Sequence, residues 1–194
     1  NFENMKQLFV VLLIAGFVPF IALAQDDDVV VGDKAPSFKG IDENGNTWDS
    51  DDHYGKNILV IYFYPAAMTG GCTKQACAYR DKSSELKDLG VEVIGVSGDE
   101  YENLKYFKEA ENLNFSLISD PDGTIANKFD VPRRSGGEIV RTVNGQEVTL
   151  TRKTTMARWT YVVGKDQEII YKEKNVNPQQ DVENVIQAVN DHRN

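Results

Sequence analysis

Two cysteines, Cys72 and Cys77, stand five positions apart in the stretch YFYPAAMTGGCTKQACAYRD of this 194-residue chain. A thiol pair so spaced admits three chemistries: a structural disulfide, part of a metal site, or a nucleophile with its partner. Structural zinc needs about four clustered ligands. The two histidines, His53 and His192, are far in sequence from the cysteines and from each other. Neither a metal nor a cofactor is expected. Around Cys72 the residue types suit a nucleophile. Pro65 closes an apolar run, fixes the chain and would shield a pocket. Gly70 and Gly71 allow a tight turn and the close approach of a ligand. Cys72 then falls in the first turn of a helix, where unpaired amides and a positive dipole favour a thiolate. Thr69, three residues back, brings a hydroxyl that can bond the sulfur or whatever attacks it.

The position of Cys77 constrains what the pair can do. Five residues of intact helix advance about 7.5 Å along the axis and about 140° around it. The two Cα atoms would then lie roughly 8.7 Å apart, beyond the ~6.8 Å that a disulfide tolerates. A bond between them requires that the helix be absent or unwound. A structural clip is normally made without giving up a helix, so the spacing points to a bond that is made and broken.

Several elements must hold this turn. The run NILVIYFYP reads as a strand buried on both faces, ended by Pro65. From Gly71 to Leu89 the pattern is helical, with Ala76, Tyr79, Leu86 and Leu89 near one face and Gly90 as the stop. VEVIGVS is a second buried strand. DEYENLKYFKEAENL follows as a helix, with Asp99 and Glu102 at capping-box spacing and Leu104, Phe107 and Ala110 facing inward. FSLISD is a short strand, PDG a turn and TIANKFDV a short helix. Upstream, VGDKAPSFKGIDENGNTW gives a strand and a reversal at Asn44-Gly45-Asn46. Downstream, a hairpin near 138–152 turns at Asn144-Gly145. RWTYVVG and EIIYKEK pair as antiparallel strands around Lys165-Asp166. A last helix is capped by Asn177, with Pro178 at its first position and Val182, Val185, Ile186 and Val189 as its apolar stripe. The order implies a mixed α/β sandwich with one core and no interdomain linker. Tyr62, Phe63 and Tyr64 are expected to alternate between core and pocket rim, and Arg80 and Asp81 to be helix-surface charges.

Residues 1–24 read as a secretory leader. Lys6 precedes an uncharged apolar stretch, short for a membrane span, that closes on Ala22-Leu23-Ala24 with acidic residues beyond. The expectation is an exported chain, periplasmic or extracellular, with one domain over 25–194. It would be membrane-anchored only if the leader were retained. The formal net charge is −9. That balance argues against nucleic acid and anionic membrane surfaces as partners.

PAAMTGGC matches the P-x-x-x-T-x-x-C pattern of peroxiredoxins. The longer stretch resembles the PrxQ, or bacterioferritin comigratory protein, branch, whose resolving cysteine also lies five residues on. The resemblance continues through VIGVSGDEYENLKYF, LISDPDG and RWTYVVG, covering about Asp33 to Val163. It implies a thioredoxin-like fold, a central mixed sheet flanked by helices, with the hairpin as an insertion. It also implies a thiol-dependent peroxidase acting on hydrogen peroxide or alkyl hydroperoxides. In that scheme Cys72 is the peroxidatic thiol, Thr69 orients the peroxide and Pro65 shields the sulfur. Arg158 holds a cation near Cys72, and the amides of Gly71 and Cys72 are further donors. Cys77 resolves the sulfenic acid to an intramolecular disulfide, which a dithiol such as thioredoxin or a thioredoxin-like protein reduces. The branch implies a monomer. Two departures stand out: Gly70 replaces a usual proline, and RRSGGEIVRTVNGQEVTLTRKTTM replaces a more typical connection.

Two other readings are weaker. A thiol–disulfide oxidoreductase on the same fold would want two residues between its cysteines. A Sco-type copper-delivery protein would want three, with a distant histidine ligand.

Overall fold

The computed structural model describes residues 28–143 and 145–193. The expected leader, and Asn144 of the expected hairpin turn, lie outside the described residues. The chain runs β1 (Lys39–Asp42), β2 (Thr47–Asp49), β3 (Ile58–Phe63), α1 (Gly70–Asp81), α2 (Ser83–Asp88), β4 (Val91–Ser97) and α3 (Tyr101–Glu111). It continues with β5 (Ser116–Ser119), α4 (Thr124–Lys128), β6 (Arg133–Val143), β7 (Gln146–Met156), β8 (Trp159–Val163), β9 (Ile169–Glu173) and α5 (Asp181–Arg193). Among the described residues seven strands form one mixed sheet in the order β2-β1-β5-β4-β3-β8-β9, while β6 and β7 form a separate two-stranded ribbon. Strands β3, β4 and β5 are parallel, and β8 joins β3 antiparallel.

Strand β3 is central and buried along its whole length. Its residues divide by parity: Ile58, Val60, Tyr62 and the following Tyr64 enter one core, Leu59, Ile61 and Phe63 the other. Helices α1, α2, α3 and α5 cover the first core, and α4 with Ala35, Phe38 and Trp48 covers the second. Burial of each such side chain contributes about 1.5–3 kcal/mol. The position of the peroxiredoxin-like turn is thereby anchored, because β3 delivers it from the middle of the sheet.

Several expectations change. The helix expected over 71–89 is two helices, interrupted at Lys82, whose backbone (φ −91°, ψ 6°) leaves the helical basin. Gly90 does stop the second, with φ +69°. Asp99 caps nothing: Glu100 occupies the cap position of α3, and Asp99 is fully buried with partners elsewhere. Within α3, Leu104 and Phe107 face inward, but Ala110 is exposed and Leu113 beyond the helix fills that layer. The last helix begins at Asp181. Asn177 nevertheless caps the turn that leads into it, as expected: its Oδ1 accepts from the Gln179 amide at 3.1 Å and its carbonyl from the amides of Gln180 and Asp181. The hairpin is longer than expected, spanning Arg133–Val143 and Gln146–Met156. Among the described residues no helix is long and apolar enough to cross a membrane.

Candidate active site

Strand β3 ends at Phe63, and residues 64–69 form the turn into α1. Met68 holds φ +57° there, a left-handed conformation that costs a side-chain-bearing residue about 1–2 kcal/mol. Three contacts hold the turn. The Ala67 amide donates to Asp99 Oδ2 (2.8 Å), the Thr69 hydroxyl donates to the Ala66 carbonyl (2.9 Å), and Arg141 Nε donates to the Met68 carbonyl (2.9 Å). Thr69 then adopts extended geometry at the N-cap of α1 without a side-chain cap bond. The first-turn amides, those of Gly71 and Cys72 among them, therefore have no capping side chain to satisfy them.

Cys72 is 1% exposed, its sulfur in the core beneath α1. Arg158 Nη2 donates to Cys72 Sγ at 3.2 Å, so a fixed cation lies against the sulfur. The approach is close to the backbone: a Cβ on Gly71 would sit 3.3 Å from Arg158 Nη2, tighter than an ordinary contact. Arg158 is braced in turn. Its Nη1 donates to Gln75 Oε1, and Gln75 Nε2 donates to Asp181 Oδ2 at 2.7 Å. The same carboxylate oxygen accepts from the Tyr79 hydroxyl (2.7 Å) and the Thr160 hydroxyl (2.9 Å). Burial raises the Asp181 carboxyl above the ordinary range, against the opposing pull of those donors. The network joins α1, β8 and α5, and it orients the guanidinium from behind.

Cys77 has a different neighbourhood. It is half-buried, and its thiol donates to Glu111 Oε2 at 3.5 Å, at the C-terminal end of α3. Burial is the first cause that pushes this thiol above the ordinary range; Arg80 opposes it and Glu111 adds to it. Arg80 pairs with Asp81 as expected for surface charges. Its guanidinium also donates to the Glu111 carbonyl, so it is half-buried against α3. Both cysteines are free thiols, and α1 runs unbroken through both.

The structure brings Cys72, Arg158, Thr69 and Gly71 to one place, although Thr69 spends its proton on Ala66. Pro65 is half-buried and borders a cavity of about 320 Å³, which Pro132, Arg133, Arg134, Thr155, Met156 and Ala157 also line. Tyr62, Phe63 and Tyr64 do not reach a rim. All three are fully buried, because β3 is covered on both faces and Tyr62 stacks on Tyr79 at 5.0 Å. His53 stacks on Trp48 and meets Glu92 at 2.8 Å, remote from the thiols. Among the described residues no cluster of three or more His, Cys, Asp and Glu could hold a metal ion. Sequence reasoning missed Gln75, Asp181, Asp99 and Arg141. Gln75 had a signal: it sits three residues after Cys72 on the same helical face. The others are brought in by packing and carry no local mark.

A buried thiol at a strand-to-helix turn, held against a guanidinium from the residue that leads into a neighbouring strand, defines a thiol-based redox enzyme. The chain belongs to the AhpC/TSA family, whose model matches residues 31–172. It is 37% identical over 147 residues to a Mycobacterium tuberculosis protein bearing the peroxiredoxin name, 75% of this chain and 85% of that one. It is 49% identical to Escherichia coli peroxiredoxin Bcp over 100 residues, 52% of this chain and 64% of that one. The crystal structure of peroxidoxin BcpB from Mycobacterium tuberculosis superposes with a TM-score of 0.70 at 25% identity, covering 84% of this chain and 98% of that one. The fold is thioredoxin-like and the branch is that of PrxQ and Bcp. The protein is a thiol-dependent peroxidase, an oxidoreductase, and the oxidoreductase-only and copper-delivery readings are not favoured.

Proposed function

We propose that Cys72 is the peroxidatic thiol and Cys77 the resolving one, in a cycle confined to a single chain. The observation that carries this is the Arg158 guanidinium 3.2 Å from the buried Cys72 sulfur at the start of α1. The Cys72 thiolate attacks the distal oxygen of the peroxide, and the O–O bond breaks. The sulfur, oxidised by two electrons, becomes a sulfenic acid, and the proximal oxygen leaves with a proton as water or an alcohol. Arg158 and the amides of Gly71 and Cys72 stabilise the charge that builds on that leaving oxygen. Thr69 keeps its hydroxyl lone pairs available to the peroxide, since its own proton goes to Ala66. Pro65 screens the sulfur from bulk water.

Helix α1 then unwinds, the Cys77 sulfur attacks the sulfenic sulfur, water leaves, and the disulfide forms before further oxidation. An external dithiol, thioredoxin or a thioredoxin-like protein, exchanges with the disulfide and restores both thiols. The unbroken helix between the two thiols supports a bond that exists only in the oxidised state. Peroxidase assays with hydrogen peroxide and an organic hydroperoxide, coupled to a dithiol, test the assignment. Cys72→Ser is expected to abolish turnover, and undiminished turnover would sink the reading. Cys77→Ser should react once and accumulate sulfenic acid by intact mass; normal cycling of that variant with a dithiol removes Cys77 from the role.

We further propose that the enzyme works outside the cytoplasm after loss of residues 1–24, a reading supported by the leader-like pattern ending at Ala24. Fractionation with intact-mass measurement tests it: full-length protein in the cytosol would refute it.

A further inference from the structure

The ribbon β6–β7 does more than replace a connection. Its base is locked to the sheet. A Cβ on Gly98 would lie 2.0 Å from the Thr154 carbonyl, so only glycine admits the ribbon there. Arg152 bridges to Asp99 through the backbone and through Nε to Oδ1 at 3.3 Å, with both residues buried. Asn103 Nδ2 donates to the Thr151 carbonyl at 2.8 Å, and the Thr154 hydroxyl to the Pro121 carbonyl at 2.7 Å. Leu150 of β7 is fully buried.

From that base the ribbon reaches the turn that carries Thr69 and Cys72 at two points. Arg152 orients Asp99, whose other oxygen accepts from the Ala67 amide at 2.8 Å. Arg141, farther out, donates Nε to the Met68 carbonyl at 2.9 Å while Nη1 donates to its own strand at the Val140 carbonyl at 2.8 Å. One arginine thus reaches the only non-glycine left-handed residue in the turn between β3 and α1. A carbonyl in that conformation points where no regular element can satisfy it, and a guanidinium from outside the turn supplies the donor.

We propose that Arg141 is a positioning residue for peroxide reduction, holding Met68 so that Thr69 and the Gly71–Cys72 amides keep the geometry the reaction needs. The proposal rests on the assignment of Cys72 as the peroxidatic thiol. Arg141 holds the Met68 carbonyl, ahead of α1, so it should act on the oxidation step and not on the resolution step.

Rapid mixing of the reduced full-length protein with hydrogen peroxide separates the two steps. Arg141→Ala is expected to slow Cys72 oxidation about tenfold, leave the following disulfide step within twofold, and keep the wild-type fold by circular dichroism. Arg141→Lys, which can still donate to the same carbonyl, should recover a large part of the loss, and Val140→Thr, an exposed neighbour, none of it being lost. Oxidation at the wild-type rate in Arg141→Ala overturns the proposal. So does an equal slowing of both steps, or a lysine variant no better than alanine. Cys72→Ser run alongside separates the two failures: if it still turns over, the assignment of Cys72 falls; if it is inactive, only the role of Arg141 is in question.

Discussion

Cys72 and Cys77 share a helix, yet their surroundings have opposite signs. Cys72 is buried with the guanidinium of Arg158, the residue just ahead of β8, against its sulfur. Cys77 is half-buried with a carboxylate from α3 against its thiol, and is pushed above the ordinary thiol range, first by burial. One sulfur faces a cation. The other faces an anion, in surroundings that favour the thiol. The lesson is that the difference between the two thiols is set by what packs against each of them, not by the helix they share.

The comparison breaks most easily at Arg158. Arg158→Met removes the cation from Cys72 and should lower the second-order rate of oxidation by about 10²–10³, the usual loss for a donor aimed at developing charge. A change below threefold in rapid-mixing experiments would mean that the two sites do not differ in the way described.

Asp181 tests the bracing behind Arg158. Asp181→Ala strands the Gln75, Tyr79 and Thr160 donors, each costing about 1–3 kcal/mol when buried without an acceptor. The expected loss is roughly 3 kcal/mol or more, read from the urea midpoint, together with slower oxidation. Because burial raises the Asp181 carboxyl, the folded state holds that proton more tightly than the unfolded chain. Its contribution is complete below the ordinary carboxylate range and is lost as pH rises through the raised value. Asp181→Asn should flatten that part of the stability–pH curve; an unchanged slope argues against it.

Glu111 sharpens the other half. Glu111→Gln removes the anion beside Cys77 while keeping an oxygen that can accept from it, so the pH profile of disulfide formation should move to lower pH and resolution at neutral pH should quicken by a factor of a few. In the wild type this linkage has the same sign as that of Asp181: with the packed thiol raised, rising pH favours the unwound helix. A profile indifferent to the substitution would show that burial alone controls Cys77.

Gly70→Pro is the mildest test. A Cβ there meets nothing within 4 Å, and Thr69 before it is extended, as a residue preceding proline must be. Proline at the first helical position should add about 0.4–1 kcal/mol by restricting the unfolded chain. Since it lies before Cys72, oxidation and resolution should keep their rates. A slower resolution step would place the unwinding upstream of Cys72.

The legible parts of this molecule are those written in short spacings. NILVIYFYP announced a doubly buried strand because nothing polar interrupts it, and β3 is that strand. The Pro65–Thr69–Cys72 pattern announced the turn, and the five-residue gap to Cys77 announced a helix between two thiols. Errors came where a local signal was outweighed by a distant partner. Asp99 and Glu102 have the spacing of a capping box, but Asp99 is taken by Ala67 and Arg152 instead. Tyr62, Phe63 and Tyr64 are expected to alternate between core and pocket rim, but a core lies on each face of the strand and all three are buried.

The sequence by itself determined the strand, the turn, the two thiols and the geometry that forbids their union on an intact helix. These follow from backbone periodicity and from the dihedral limits of proline and glycine, which act within a few residues. Only the tertiary structure decided which charge each sulfur meets. Arg158 reaches Cys72 across 86 residues, Arg141 reaches Met68 across 73, and Glu111 reaches Cys77 across 34. Contacts at such separations are made by packing of the sheet and its helices, and no local pattern encodes them.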